Sequence, residues 1–143
     1  MFAIENIPDN ALDATLSTRG GRDIARQFAH MHMVRVWRLE ATSKKLATGL
    51  ERFEKGKSPD KKKLLKALEH SGEAVQRLSQ GYIENAGKVA NFKRGVIPTL
   101  AYLISHEAHH RGSILLTMKQ SGFRLPDSLK WGIWDWNKFA DKR

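Results

Sequence analysis

Ser105-His106-Glu107-Ala108-His109-His110-Arg111-Gly112-Ser113 stands in the middle of the last long apolar segment of a 143-residue chain and holds three of its six histidines. Around it, Leu100, Leu103, Ile104, Ile114, Leu115 and Met118 recur at helical intervals between a first-turn Pro98 and Gln120, with Gly122 and Pro126 as stop signals beyond. The histidines are therefore expected mid-helix. His106 and His110 are four apart, and positions i and i+4 on a helix differ by about 40° of rotation, so both imidazoles can face one ion. Imidazole serves Zn, Ni, Cu and Fe alike; the spacing points to a divalent metal without choosing among them.

The same residues match H-E-x-x-H, in which two histidines hold zinc and the Glu serves as general base. Such a site takes its third ligand from downstream, and this chain has neither His nor Glu beyond His110. The longer form with a following Gly also fails, because Gly112 falls one place early. Glu107 and His110 form a Glu-x-x-His pair as well, but a dinuclear carboxylate site needs that pair twice and it occurs once. What survives is a mononuclear site whose third ligand comes from elsewhere in the chain.

Working outward, the residues from about Arg22 to Thr42 contain no Pro or Gly, and Ile24, Ala25, Phe28, His32, Val36 and Leu39 share one broad helical face. The pattern continues weakly through Leu46 and Leu50. Ser58-Pro59-Asp60 reads as a cap, a first-position proline and a first-turn acid. Leu64, Leu65, Leu68, Val75, Leu78, Tyr82 and Ile83 then mark a helix to about Asn85. Gly72 and Gly81 weaken it by about 1 kcal/mol each relative to Ala. Asn85-Ala86-Gly87 through Arg94-Gly95 reads as a loop. The opening is short and irregular, with a helical turn or two at most over Met1 to Ile7. Near the end, Trp131-Gly132-Ile133-Trp134-Asp135-Trp136 places three of the four tryptophans in six residues, which suits packing across a bundle end or a dimer surface better than nucleotide stacking.

Size and composition narrow the function. A chain of 143 residues can bury one real core and is too short for two, so a single domain over 1–143 is expected. The absence of cysteine removes thiolate ligands, a cysteine nucleophile and disulfides, and fits a reducing cytoplasm. No stretch approaches the ~20 apolar residues of a membrane span. A net charge of +10 and a pI near 10.1 invite a nucleic-acid reading. The densest run, Lys55-Gly56-Lys57-Ser58-Pro59-Asp60-Lys61-Lys62-Lys63, has no interleaved aromatic residues and reads instead as a solvated loop, with anionic small molecules as the partners it would suit.

Upstream of the cluster the only histidines are His70, isolated in the second long helix, and the pair His30 and His32 in the first. Residues two apart on a helix point about 160° apart, so only one of the pair can face the ion. Amphipathic phase favours His32, which lies among Ala25, Phe28, Val36 and Leu39, whereas His30 shares its side with Asp23, Val34 and Trp37. A buried histidine satisfied by a backbone carbonyl would have the same phase as a ligand.

Phe28-Ala29-His30-Met31-His32-Met33-Val34-Arg35-Val36-Trp37, Tyr102-Leu103-Ile104-Ser105-His106-Glu107-Ala108-His109-His110-Arg111-Gly112 and Gly132-Ile133-Trp134-Asp135-Trp136 together resemble the DinB-like superfamily of bacterial damage-inducible proteins, some described as metal-dependent hydrolases. The resemblance runs from about Leu16 and implies an all-α, four-helix-bundle fold. It further implies a homodimer and a nickel or zinc ion held by three histidines and open to water or substrate. Carried across, the ligands fall on His106, His110 and His30, the last because Asp23-Ile24-Ala25-Arg26-Gln27-Phe28-Ala29-His30 follows the run into the family's first ligand. The family normally opens with a full helix. Here about seven residues stand in its place, so the Trp-rich segment or a second subunit is expected to cover the open face.

The resemblance implies a metal-dependent transferase joining a thiol to an electrophile, or a hydrolase of a small molecule. The contrasting reading is a non-catalytic, metal-bearing dimer that acts as a stress-response binding protein. An open coordination position beside a pocket favours the first, and a ligand sphere closed by protein favours the second. On an ideal helix Glu107 lies ~100° from His106 and ~60° from His110, which argues against a direct catalytic role. His109 is placed to orient a ligand or carry a proton, and Arg111 to hold an anion.

Overall fold

In the computed structural model, residues 2–85, 88–89 and 95–135 are described. They form α1 (Phe2–Glu5), a 3₁₀ turn at Asp9–Ala11, α2 (Ile24–Thr42), α3 (Lys44–Ala47), α4 (Lys61–Glu84), α5 (Val96–Gln120), α6 (Asp127–Trp131) and a closing 3₁₀ turn at Gly132–Trp134. Three long helices carry the architecture. α2 lies between the other two, packed against both α4 and α5, and this all-helical arrangement is the expected bundle with a much shortened first helix.

Each long helix starts where its chemistry allows. Asp23 caps α2 by accepting from the Arg26 amide at 2.7 Å, and Asp60 caps α4 by accepting from the Lys63 amide at 2.8 Å. The α4 cap is thus two residues later than Ser58. The Ser58 hydroxyl instead donates to Asp23 Oδ2 at 2.6 Å, so the loop before α4 is stitched to the cap of α2. Pro98 occupies the first turn of α5, where an amide would have no helical partner. Thr42 ends α2, because Ser43 leaves helical geometry (φ −155°, ψ 86°). Leu46 and Leu50 therefore belong to the separate α3 and its following turn, and pack with Leu39, Ala74 and Leu78.

The buried residues of α4 (Leu64, Ala67, Leu68, Ser71, Ala74, Leu78) and α5 (Thr99, Leu103, His110, Ile114, Thr117, Met118) repeat at three and four residues, as a bundle seam requires. Two apolar clusters result. The larger joins Ile24, Phe28, Leu64, Leu68, Ile114 and Met118 to the short opening and closing elements through Ile4, Ile7 and Leu129; the smaller centres on Leu39, Ala74 and Leu78 at the other end. Between them runs a polar layer containing His32, Ser71, Arg35 and Glu107. Ile83, expected in the core, is largely exposed.

The closing segment meets the opening one. An added Cβ on Gly132 would fall 2.4 Å from the Phe2 ring, so the closing turn meets α1 where a larger residue would have to displace that ring. Leu129 rather than tryptophan supplies the buried anchor here, and Trp131 and Trp134 remain mostly exposed. Trp136, and most of the loop expected over 85–95, lie outside the described residues. Among the described residues no helix is long and apolar enough to cross a membrane.

Candidate metal centre

α2 sends His30 and His32 to opposite sides. His32 is fully buried against α4: Nδ1 lies 3.0 Å from Ser71 Oγ, and Nε2 lies 2.8 Å from the Glu51 carbonyl oxygen. A carbonyl only accepts, so Nε2 carries the proton and Nδ1 accepts from the Ser71 hydroxyl, which in turn accepts from Arg35 Nη1 at 3.4 Å. Both ring nitrogens are satisfied within the protein. Burial pushes the His32 pKa down, outweighing the backbone groups of Glu51 and Ala67 that favour the charged form.

His30 faces α5. Its ring centroid is 5.3 Å from that of His106 and 5.0 Å from that of His110, and the last two are 4.7 Å apart. One nitrogen from each of the three lies within 4.8 Å of the other two, and among the described residues no further His, Asp or Glu joins this group. For comparison, two imidazole nitrogens at ~2.0–2.1 Å from one tetrahedral zinc ion stand about 3.4 Å apart. Helical phase pointed to His32, but His30 is the one beside His106 and His110; phase assumes one buried side, whereas α2 packs against helices on two.

The donor set fits a metal. His110 Nδ1 is buried without a hydrogen-bond partner, an arrangement that is costly unless something other than the described side chains satisfies it. Burial, followed by the His106 and His30 charges, pushes the His110 pKa down to about 4. Burial also lowers His30, reinforced by Arg22 and His106, and lowers His106, where Glu107 partly opposes the shift. All three imidazoles are thereby held in the neutral form that ligation needs. Trp37 packs edge-on to His30 with centroids 6.2 Å apart, and Tyr102 stacks on His106 at 6.2 Å beneath the Arg38 guanidinium.

The other residues of the H-E-x-x-H stretch have different fates. Both Glu107 oxygens are taken by Arg35, so this carboxylate is not placed as a base. His109 is exposed and only touches the edge of His110. Arg111 does not border the cavity beside the site; Arg22, which the sequence patterning did not single out, does. That cavity, of about 610 Å³, extends from His30 between the loops at Gly20–Arg22 and Glu54–Lys57.

Three long helices, α4 running alongside α2 in the same direction and α5 against it, with a convergent histidine triad, define a helical protein able to hold a divalent ion. The chain belongs to the DinB family, whose sequence profile matches residues 1–127. No curated protein and no solved structure matches it.

Proposed function

We propose that His30, His106 and His110 bind a divalent metal, nickel or zinc, and that residues 1–143 act as one domain of a metal-dependent enzyme that transfers a thiol to an electrophile or hydrolyses a small molecule. One observation carries this reading. Three histidine nitrogens converge, His30 among them lines a cavity, and no fourth side chain of ligating type among the described residues joins the group. When bound, such an ion lowers the pKa of a thiol or water in its remaining position toward neutrality. The protein's own part is to keep the imidazoles neutral, to brace α5 through Arg35 and Glu107, and to admit a substrate past His30 and Trp37. A purely structural site would gain nothing from an open side.

The assembly that suits this chain is a homodimer. On α5, Ile97, Ala101, Ile104 and Ala108 follow at spacings of four, three and four, all exposed, on the side away from the part-buried His106 and the buried His110. With α1 only four residues long, a second copy is the natural cover for such a seam.

The experiment is metal analysis of untagged protein, followed by paired assays of metal-loaded and chelated samples. Conjugation of a small thiol to 1-chloro-2,4-dinitrobenzene tests transfer, and hydrolysis of 4-nitrophenyl acetate tests the alternative. Metal-dependent turnover in either assay, lost in His106→Ala, is the expected result. Stoichiometric metal with no activity in both would favour the binding-protein reading.

A further inference from the structure

The cavity beside His30 has walls and a rim of different character. Ala29, Met33 and Trp37 of α2 and Phe53 form an apolar wall, while Arg22, Lys55 and Lys57 border the opening. Arg26 also borders it but is committed, its Nε to Asp23 Oδ2 at 2.8 Å and its Nη2 to the Gly21 carbonyl at 2.6 Å. The side chains of Arg22, Lys55 and Lys57 make no ion pair or hydrogen bond among the described residues, and one acid, Glu54, shares the rim with them.

Local geometry aims both loops. The Lys57 amide donates to the Glu54 carbonyl at 3.3 Å across a turn whose third residue, Gly56, has φ +85°, a conformation only glycine adopts freely. The two lysines therefore flank a fixed turn. On the opposite loop the Ser17 hydroxyl accepts from the Gly21 amide at 2.7 Å, and a Cβ on Gly21 would fall 2.4 Å from Ser17 Cβ. This packing sets the residue before Arg22.

Solvated lysines on a surface ordinarily need no explanation. Three uncommitted cations around one concavity, with an aromatic and thioether wall leading to a histidine triad, select for a particular ligand chemistry. A small anion alone would gain little from exposed charges screened by water. An apolar molecule alone would leave the cations unused. An oxyanion attached to a flat apolar body satisfies both, with the guanidinium matching a carboxylate or phosphate edge, and 610 Å³ is within the ~300–1,000 Å³ usual for such ligands.

We propose that this cavity is the substrate subsite and that it takes an aromatic or similarly flat apolar carboxylate or phosphate, its anion at Arg22, Lys55 and Lys57, its body against Trp37, Met33 and Phe53, and its reactive end toward His30. The proposal rests on the three-histidine reading only in assigning that end to the metal.

Calorimetric titration of the chelated protein with 1-naphthoate, 1-naphthyl phosphate, neutral 1-naphthalenemethanol, acetate and inorganic phosphate tests it. At least one naphthyl anion is expected to bind at one site, tenfold or more tighter than the naphthyl alcohol and than its own bare anion. Naphthoate alone or naphthyl phosphate alone would identify which oxyanion is preferred. Lys55→Gln with Lys57→Gln, and separately Arg22→Gln, are exposed changes expected to weaken that anion at least fivefold. Trp37→Ala should weaken it through the apolar wall. Naphthyl alcohol binding as tightly as both anions, or unaltered anion affinity in both charge variants, would overturn the proposal. Because metal is absent throughout, these results stand apart from metal analysis: a protein that bound naphthoate but never metal would keep the cavity and lose the triad.

Discussion

Arg35 on α2 and Glu107 on α5 are joined at two points, Nε to Oε1 at 2.6 Å and Nη2 to Oε2 at 2.8 Å, one residue away from His106. The remaining Arg35 nitrogen donates to the Leu68 carbonyl of α4 at 2.9 Å. One guanidinium thus ties all three long helices together at the level of the histidines. Lysine cannot reproduce a planar two-point contact.

Glu107→Ala is expected to destabilise the fold by about 1–3 kcal/mol, because it strands an Arg35 side chain only 13% exposed. The lower part of the range reflects the partial exposure of Glu107, where solvent takes over some of the pairing. Arg35→Lys should lose a similar amount. Urea unfolding measures both, and a competition titration should show weaker metal binding, since His106 and His110 lose the brace on their helix. Unchanged midpoints in both variants would remove the brace from the account.

His30→Ala and His32→Ala should separate cleanly. The first is expected to abolish stoichiometric metal with little loss of stability, since His30 is only part-buried. The second empties a fully buried position and leaves the Glu51 carbonyl without the His32 ring, costing about 2–4 kcal/mol, while metal content stays near that of the parent. Elemental analysis beside thermal melts would show the reverse pattern if helical phase were the better guide.

That pair also shows how much was legible beforehand. Long helices declare themselves through period and caps, so α2, α4 and α5 are found within two or three residues of their observed ends. The i, i+4 spacing of His106 and His110 likewise needs no tertiary information. Which of His30 and His32 joins them depends on which neighbour each side of α2 meets, and a sequence periodicity cannot say that both sides are buried. The family's run of residues points to His30, the histidine that lies beside His106 and His110. Arg22 and the Glu54–Lys57 turn were illegible as a rim for a related reason: they are more than thirty residues apart, and a lysine pair around a glycine looks the same whether it borders a cavity or open solvent.

Acid should destabilise the metal-free protein before its carboxylates protonate. His30, His32, His106 and His110 all have pKa values lowered in the folded chain, chiefly by burial, the last to about 4. Between the unfolded value near 6.5 and the folded value, the unfolded chain binds more protons, so stability is full above that window and falls as pH drops through it. Each group contributes a slope of at most about 1.4 kcal/mol per pH unit, reduced where solvent reaches the ring. Urea unfolding of chelated protein at pH 7.5, 6 and 5 should show this decline, with a shallower one in His110→Gln. Metal-loaded protein should fall more steeply, because protons and metal compete for the same nitrogens. Equal stability of the chelated protein at all three pH values would refute the assignment of neutral, buried imidazoles.

The α5 seam gives the last prediction. Ile97 is 77% and Ile104 66% exposed, and the two alanines between and beyond them would let a second helix approach closely. In an isologous pair a residue near the two-fold axis meets its own copy, so one charge at the centre of the seam meets its own image. Ile104→Glu is therefore expected to convert a dimer to a monomer in sedimentation at micromolar concentration. Ile104 also borders the hollow lined by Arg35, Leu103 and Glu107, so Ile97→Glu, which lies outside it, is the companion variant expected to leave metal content unchanged, and both monomers should remain helical by circular dichroism. A parent protein already monomeric at that concentration would rule out the seam as a stable interface, and loss of metal in Ile97→Glu would mean that the two sides of α5 are not independent.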